Sequence, residues 1–311
     1  MKITYPLYII ALSSSLITCK AQTAEAPKNV ENTTAITNYS YSTEALLKNI
    51  KTLSSDAFEG RRTGTEGAKK AKEYIIERFV ELDVKPLGSN YGQPFTFGNY
   101  QAENILGLVK GTENTRKYIV LSAHYDHEGI KGGKIYNGAD DDASGISALF
   151  AFAEYFKTNP PKYNVILAAF DAEELGLKGA YHFVKDNTIQ QRNIVLNLNM
   201  DMISRSEKNE LFAVGTRYYP QLKPTIEGFK DVGKVDLLMG HEGLGDGDNW
   251  TNSSDHAAFH KAEIPFIYFG VADHEDYHKP TDDFERIDNQ FYQDAVETII
   301  QVFTKFDALE L

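Results

Sequence analysis

The stretch 118–145 constrains this chain more than any other. An apolar, β-branched run, Tyr118-Ile-Val-Leu-Ser-Ala123, leads into His124-Tyr125-Asp126-His127. A run of that kind bounded by polar residues reads as a buried strand. His124 and Asp126 stand two apart, so an extended chain places them on one face. A glycine-rich segment follows, then Gly138-Ala-Asp140-Asp141-Asp142-Ala-Ser144-Gly145. Three adjacent carboxylates repel one another unless a cation sits among them or water screens them. Taken alone, the segment reads equally well as an acidic turn capping the next helix, with Asp142 or Ser144 as N-cap.

Two later apolar runs end in the same way. Residues 163–170 run into Asp171-Ala172-Glu173-Glu174-Leu175-Gly176, and 194–198 into Asn199-Met200-Asp201-Met202. Apolar spacing predicts amphipathic helices over 42–53, 67–82, 144–158, 179–184 and 290–309, and a short helix over 254–261 capped by Ser254. Further strands are expected over 91–98, 104–110, 210–214, 235–239 and 265–269. The segment 240–252 is a glycine- and acid-rich loop containing the only tryptophan, Trp250, and is expected to line a specificity pocket. Residues 271–283 are irregular and polar, with His274, His278 and Pro280. Strands alternating with helices predict an α/β fold: a three-layer sandwich with a mixed, centrally parallel sheet flanked by helices. Nothing after Ser42 reads as a linker, so 42–311 is expected to be a single catalytic domain.

The net charge of −12, with no offsetting basic stretch, argues against nucleic acid as a partner. The first 18 residues read as an export signal: Lys2, then an apolar stretch too short for a membrane span. That stretch ends in Leu16-Ile17-Thr18-Cys19, and Cys19 is the only cysteine. The ending resembles a bacterial lipoprotein box. It implies a protein exported to the periplasm or cell envelope and attached to membrane by lipid on Cys19. Residues 19–41 lack periodicity and read as a flexible tether.

In open α/β sheets, ligands gather at the carboxyl ends of parallel strands. His124 with Asp126, Glu173 with Glu174, and Asp201 are therefore expected to converge. A set of His, Asp and Glu without cysteine suits zinc, whereas calcium takes oxygen donors. The number of acids suits two ions about 3.5–4 Å apart, bridged by a carboxylate. Singly, each group has an ordinary reading as a solvated pair, a cap or a loop histidine. The conjunction of several strand ends carries the inference.

Other motifs extend the pattern: Asp56-x-Phe-Glu-Gly-Arg-x-Thr-Gly-Thr-x-Gly67, Ser254-Asp-His256 and Tyr277-His-x-Pro-Thr-Asp282. With these, residues 54–287 resemble the di-zinc aminopeptidase family of bacterial secreted leucyl aminopeptidases, which also contains glutamate carboxypeptidase II and glutaminyl cyclases. The resemblance implies two Zn2+ ions per chain and peptide substrates with a free N-terminus. It makes Asp141 the bridging carboxylate, followed by a cis peptide. His124 and Asp201 complete one metal site, and Glu174 and His278 the other. It makes Glu173 the general base, Asp126 the partner that fixes the His124 ring, and His256 a group that hydrogen-bonds the oxyanion. The alternatives are a glutaminyl cyclase-like or carboxypeptidase-type member of the same fold, the latter with Arg205 or Arg217 as the basic clamp, and a non-catalytic surface-binding lipoprotein.

Overall fold

The computed structural model describes residues 1–3, 38–113, 116–186, 188–243 and 248–311. Residues 4–18 of the expected export signal, Cys19 and most of the expected tether lie outside these residues. The strands are β1 (Lys85–Pro86), β2 (Gly92–Phe97), β3 (Tyr100–Val109), β4 (Tyr118–His124), β5 (Gly129–Lys131), β6 (Lys134–Tyr136), β7 (Asn164–Phe170), β8 (Ile194–Met200), β9 (Glu210–Val214), β10 (Asp236–Met239) and β11 (Phe266–Gly270). The helices are α1 (Thr43–Leu53), α2 (Glu66–Glu81), α3 (Ser144–Phe156), α4 (Lys178–Lys185), α5 (Lys223–Glu227), α6 (His256–Lys261) and α7 (Asn289–Ala308).

Among the described residues nine strands form one sheet, in the order β1-β3-β7-β4-β8-β11-β9-β10, with β2 paired to β3. The centre, β7-β4-β8-β11, is parallel. β3 joins β7, and β9 joins β11, antiparallel, so the sheet is mixed as expected. Successive residues of β4 enter opposite layers. Ile119 and Leu121 join the large core formed with α1, α2, α3, α5 and α7, while Val120 joins the core under α4 and α6. Burial on both faces is why these strands read as mainly apolar runs rather than alternating ones.

Several boundaries differ from the sequence reading. β3 starts at Tyr100, four residues early, because it folds back on β2 through the two-residue turn Gly98-Asn99. The glycine-rich segment before the aspartates forms the β5–β6 hairpin. Its turn residues Gly132 and Gly133 both have positive φ (57° and 75°), as a two-residue hairpin turn requires. Ser254 does not cap α6. Its hydroxyl accepts from Asn199 at 2.9 Å, and Asp255 holds the cap position without a side-chain bond. Tyr39, Ser40 and Tyr41, assigned to the tether, are docked on α7 by hydrogen bonds to Asp294, Glu297 and the Gln293 carbonyl. Four such anchors within a few residues, with Ser42 N–H on Glu154, hold this segment against the core. Among the described residues no helix is long and apolar enough to cross a membrane.

Candidate metal centre

The four parallel strands deliver their loops to one end of the sheet. β4 ends at His124, β7 is followed by Asp171–Glu174, β8 by Asp201, and β11 by the loop carrying His278. Three non-glycine residues beside these groups, Ala172, Met202 and His278, have positive φ of 59°, 59° and 52°. Their backbones are held there by the surrounding contacts.

The three aspartates avoid mutual repulsion by pointing apart. Asp140 turns away to accept from the Ser204 N–H and hydroxyl (both 2.7 Å) and meets His274 Nε2 at 3.0 Å. Asp142 caps α3 through the Gly145 N–H (2.9 Å) and accepts from the His124 N–H (3.1 Å), tying the helix start to the end of β4. Only Asp141 faces the cleft. The peptide between Asp141 and Asp142 is cis.

Asp141 stands between two groups of donors. Its Oδ1 lies 3.2 Å from His124 Nε2, which lies 3.5 Å from Asp201 Oδ1. Its Oδ2 lies 3.1 Å from His278 Nε2, which lies 3.4 Å from Glu174 Oε2. The sequence reading missed a further member, His127, whose Nδ1 is 2.9 Å from Glu174 Oε1 and 3.7 Å from Asp141 Oδ2. In His124–Asp141–Asp201, in His127–Asp141–Glu174 and in Glu128–Glu174–His278 the donor atoms all lie within 4.8 Å of one another.

This donor set fits zinc. Ligands about 2.0–2.2 Å from a tetrahedral ion stand about 3.4 Å apart, and the spacings of 3.1–3.5 Å in the groups carrying His124 and His278 match that edge. Electrostatics agree. Burial raises Asp141, but His127, His124 and His278 outweigh it and hold its carboxyl well below the usual range. Burial and Asp141 raise Glu174, yet His127 and His278 bring it to about 2. Both carboxylates are thus anions paired with imidazoles that they raise in turn, His278 to about 10, and a bound cation would take the place of those ring protons.

Glu173 lines the same cleft but belongs to none of these donor groups. Burial chiefly, then Asp201, Asp255 and Glu174, push its carboxyl well above the usual range against the pull of His124. Asp126 meets the His124 ring through its backbone rather than its carboxylate. His124 Nδ1 is bonded to the Asp126 backbone carbonyl (3.0 Å), and the Asp126 carboxylate stands 3.7 Å away. That carboxylate instead accepts the backbone N–H groups of Glu173 (3.0 Å) and Glu174 (3.3 Å) and the Thr63 hydroxyl (3.2 Å). One residue therefore orients the imidazole through its main chain and the Glu pair through its side chain.

His256 lies outside the cleft, contrary to its expected role on the oxyanion. It is fully buried, its Nε2 meets the Trp250 carbonyl at 2.8 Å, and its ring stacks on Tyr268 at 4.5 Å. Tyr268 itself reaches the cleft, with Tyr277, Trp250, Asn249, Asp248 and Asp273. The cleft has a volume of about 430 Å3, and no Lys or Arg lines it among the described residues. Asp248, Asn249 and Trp250 come from the glycine-rich loop expected there. Residues 244–247 of that loop lie outside the described residues.

The model of peptidase family M28 matches residues 104–303, which hold every one of these donors. The chain belongs to that family. It is 30% identical over 217 residues to aminopeptidase YwaD of Bacillus subtilis, covering 65% of this chain and 44% of YwaD. It is 25% identical over 168 residues to the alkaline phosphatase isozyme conversion protein of Escherichia coli, covering 49% of each. The chain thus spans less than half the length of these two curated relatives. Among solved structures of the fold, BSAP, a zinc aminopeptidase from Bacillus subtilis, superposes with TM-score 0.66 at 18% identity over 86% of this chain and 95% of that one. The glutaminyl cyclase of Porphyromonas gingivalis superposes with TM-score 0.70 at 16% identity, over 86% and 100%. The M28 fold thus carries both names, and the choice between them rests on the site.

Proposed function

We propose that this chain is an exported, zinc-dependent aminopeptidase that hydrolyses N-terminal residues from peptides at a two-metal site. The observation that carries this reading is Asp141, a single carboxylate with one oxygen in each of two donor groups. His124, Asp141 and Asp201 would hold one ion, and Asp141, Glu174 and His278 the other. Bound zinc supplies Lewis acidity and lowers the pKa of water from 15.7 toward about 7. Glu173, poised beside both groups and bound to neither, takes the proton of the attacking water and passes it to the leaving amine. Asp126 keeps the Glu173 and Glu174 backbone in place while this happens.

The acidic lining, Asp248 and Asp273 included, favours a substrate presenting a free ammonium. A carboxypeptidase would need a basic clamp, and neither candidate reaches the cleft. Arg205 is engaged with Asp276, and Arg217 donates to the carbonyls of Glu242 and Gly243. Export rests on the sequence of residues 1–19.

The test is cleavage of a panel of aminoacyl anilides and short peptides, with and without chelator. Release of N-terminal residues that chelation abolishes supports the proposal. Cyclisation of N-terminal glutamine without hydrolysis of the panel would make the chain a cyclase instead.

A further inference from the structure

We propose that His127 is itself a metal ligand, joining Asp141, Glu174 and His278 around one of the two ions. This rests on the two-metal reading above. His127 is fully buried, and among the described residues neither ring nitrogen has a well-aligned hydrogen-bond partner. A buried polar atom left unpaired is unfavourable, and a cation beside Asp141 and Glu174 would engage Nδ1. Glu174 Oε1, 2.9 Å from Nδ1, is also a buried atom without a hydrogen bond. The two atoms are close enough to bond but are not aligned to do so. Two donor atoms this close that do not align with each other are placed as neighbouring ligands on one ion would be.

The ring is held in this position by backbone. Gly138 has φ +57°, and a Cβ on it would stand 2.6 Å from His127 Cδ2, 2.7 Å from Cγ and 2.1 Å from the Asp141 carbonyl oxygen. The glycine before the aspartates thus opens the slot that seats His127 against the cluster. His278 closes the other side, its ring centroid 6.0 Å away and inclined at 62°. The two shells then differ. One offers His124, Asp141 and Asp201; the other offers two imidazoles and two carboxylates. The extra nitrogen donor makes the second site the tighter one, so the two ions are bound and lost in separate steps.

The experiment is zinc titration of the metal-free protein against a chromophoric chelator, paired with the visible spectrum of the cobalt-substituted protein. Wild type is expected to take up two equivalents of unequal affinity. His127→Ala should weaken the tighter site at least 100-fold, leave the other unchanged, and alter the cobalt bands of that site. His127→Gln keeps a hydrogen-bond donor near Glu174 but is a poor zinc ligand, and should bind as weakly as the alanine variant. Circular dichroism establishes that each variant is folded, and if the alanine variant is not, the glutamine variant carries the comparison. Wild-type affinity and cobalt spectrum in His127→Gln would overturn the proposal, because the histidine would then act only by orienting Glu174. Wild-type affinity in both variants would overturn it too. A wild-type protein that takes up no zinc would instead sink the two-metal reading itself.

Discussion

The carboxylate of Asp282 accepts the backbone N–H of Asp141 at 3.1 Å. It also accepts the N–H of Asp140 at 3.0 Å, and its own carbonyl accepts from Ala139. Asp282 follows His278 by four residues, so this clasp ties the loop bearing one donor to the turn bearing the shared one. Asp282→Ala leaves buried N–H groups unpaired, at about 1–3 kcal/mol each. The expected outcome is a less stable protein that also binds zinc at least tenfold more weakly. Chemical denaturation and metal titration on the same sample check both effects.

Glu173→Gln removes a proton acceptor without touching a donor group. Turnover should fall by about 10²–10⁴-fold, the range for losing a positioned general base. Zinc content, measured by elemental analysis, should stay at the wild-type value. Near-normal turnover would show that another group takes the proton.

Arg61 is fully buried yet forms no salt bridge among the described residues. Its guanidinium donates to the carbonyls of Leu53 (2.8 Å), Tyr125 (2.9 Å), Asn137 and Gly138 (2.9 Å). It thereby joins the end of α1, the end of β4 and the turn before the aspartates. Lysine offers one donor head in place of a planar fork and cannot span these carbonyls. Arg61→Lys should cost about 2–4 kcal/mol of folding stability, read from urea denaturation. Equal midpoints for variant and wild type would refute the assignment.

Burial holds His256 at about 3, below its ordinary 6.5. Between those values the unfolded chain binds a proton that the folded chain does not. Stability from this group is therefore complete above pH 6.5 and declines as pH falls toward 3, by at most about 1.4 kcal/mol per unit. Going from pH 6.5 to 5, His256→Gln should lose about 2 kcal/mol less than wild type in urea denaturation. Parallel losses in the two proteins would show that His256 is not buried as a neutral imidazole.

The fold was legible because both faces of the central strands are covered. Residues 118–123, 163–170 and 194–198 had to be largely apolar, the buried Ser122 and Asn197 being bonded to each other, and each run leads into ionisable side chains that water-facing strands would not need there. His127 was not legible. Period-two alternation puts it on the face opposite His124, but the regular strand stops at His124, and beyond that point alternation no longer fixes direction. Its only trace in the sequence is the glycine at 138, and nothing local links the two. His256 was misplaced for the converse reason: a polar motif on a short helix carries no mark of which side faces the core. The cap assigned to Ser254 failed because its hydroxyl is taken by Asn199, a partner that only strand packing brings near.

By itself, the amino-acid sequence determined the α/β layering and which residue types could meet at the carboxyl end of the sheet, because hydrophobic period and parallel strand direction follow from local pattern. Tertiary structure decided which of three adjacent aspartates is shared, that Asp126 grips the Glu pair through its side chain, and that His127 enters the cluster while His256 leaves it. Those choices depend on contacts such as Asp282 with Asp141 and Gly138 with His127. Side-chain direction in irregular backbone is set by what packs against it, and no local periodicity encodes that.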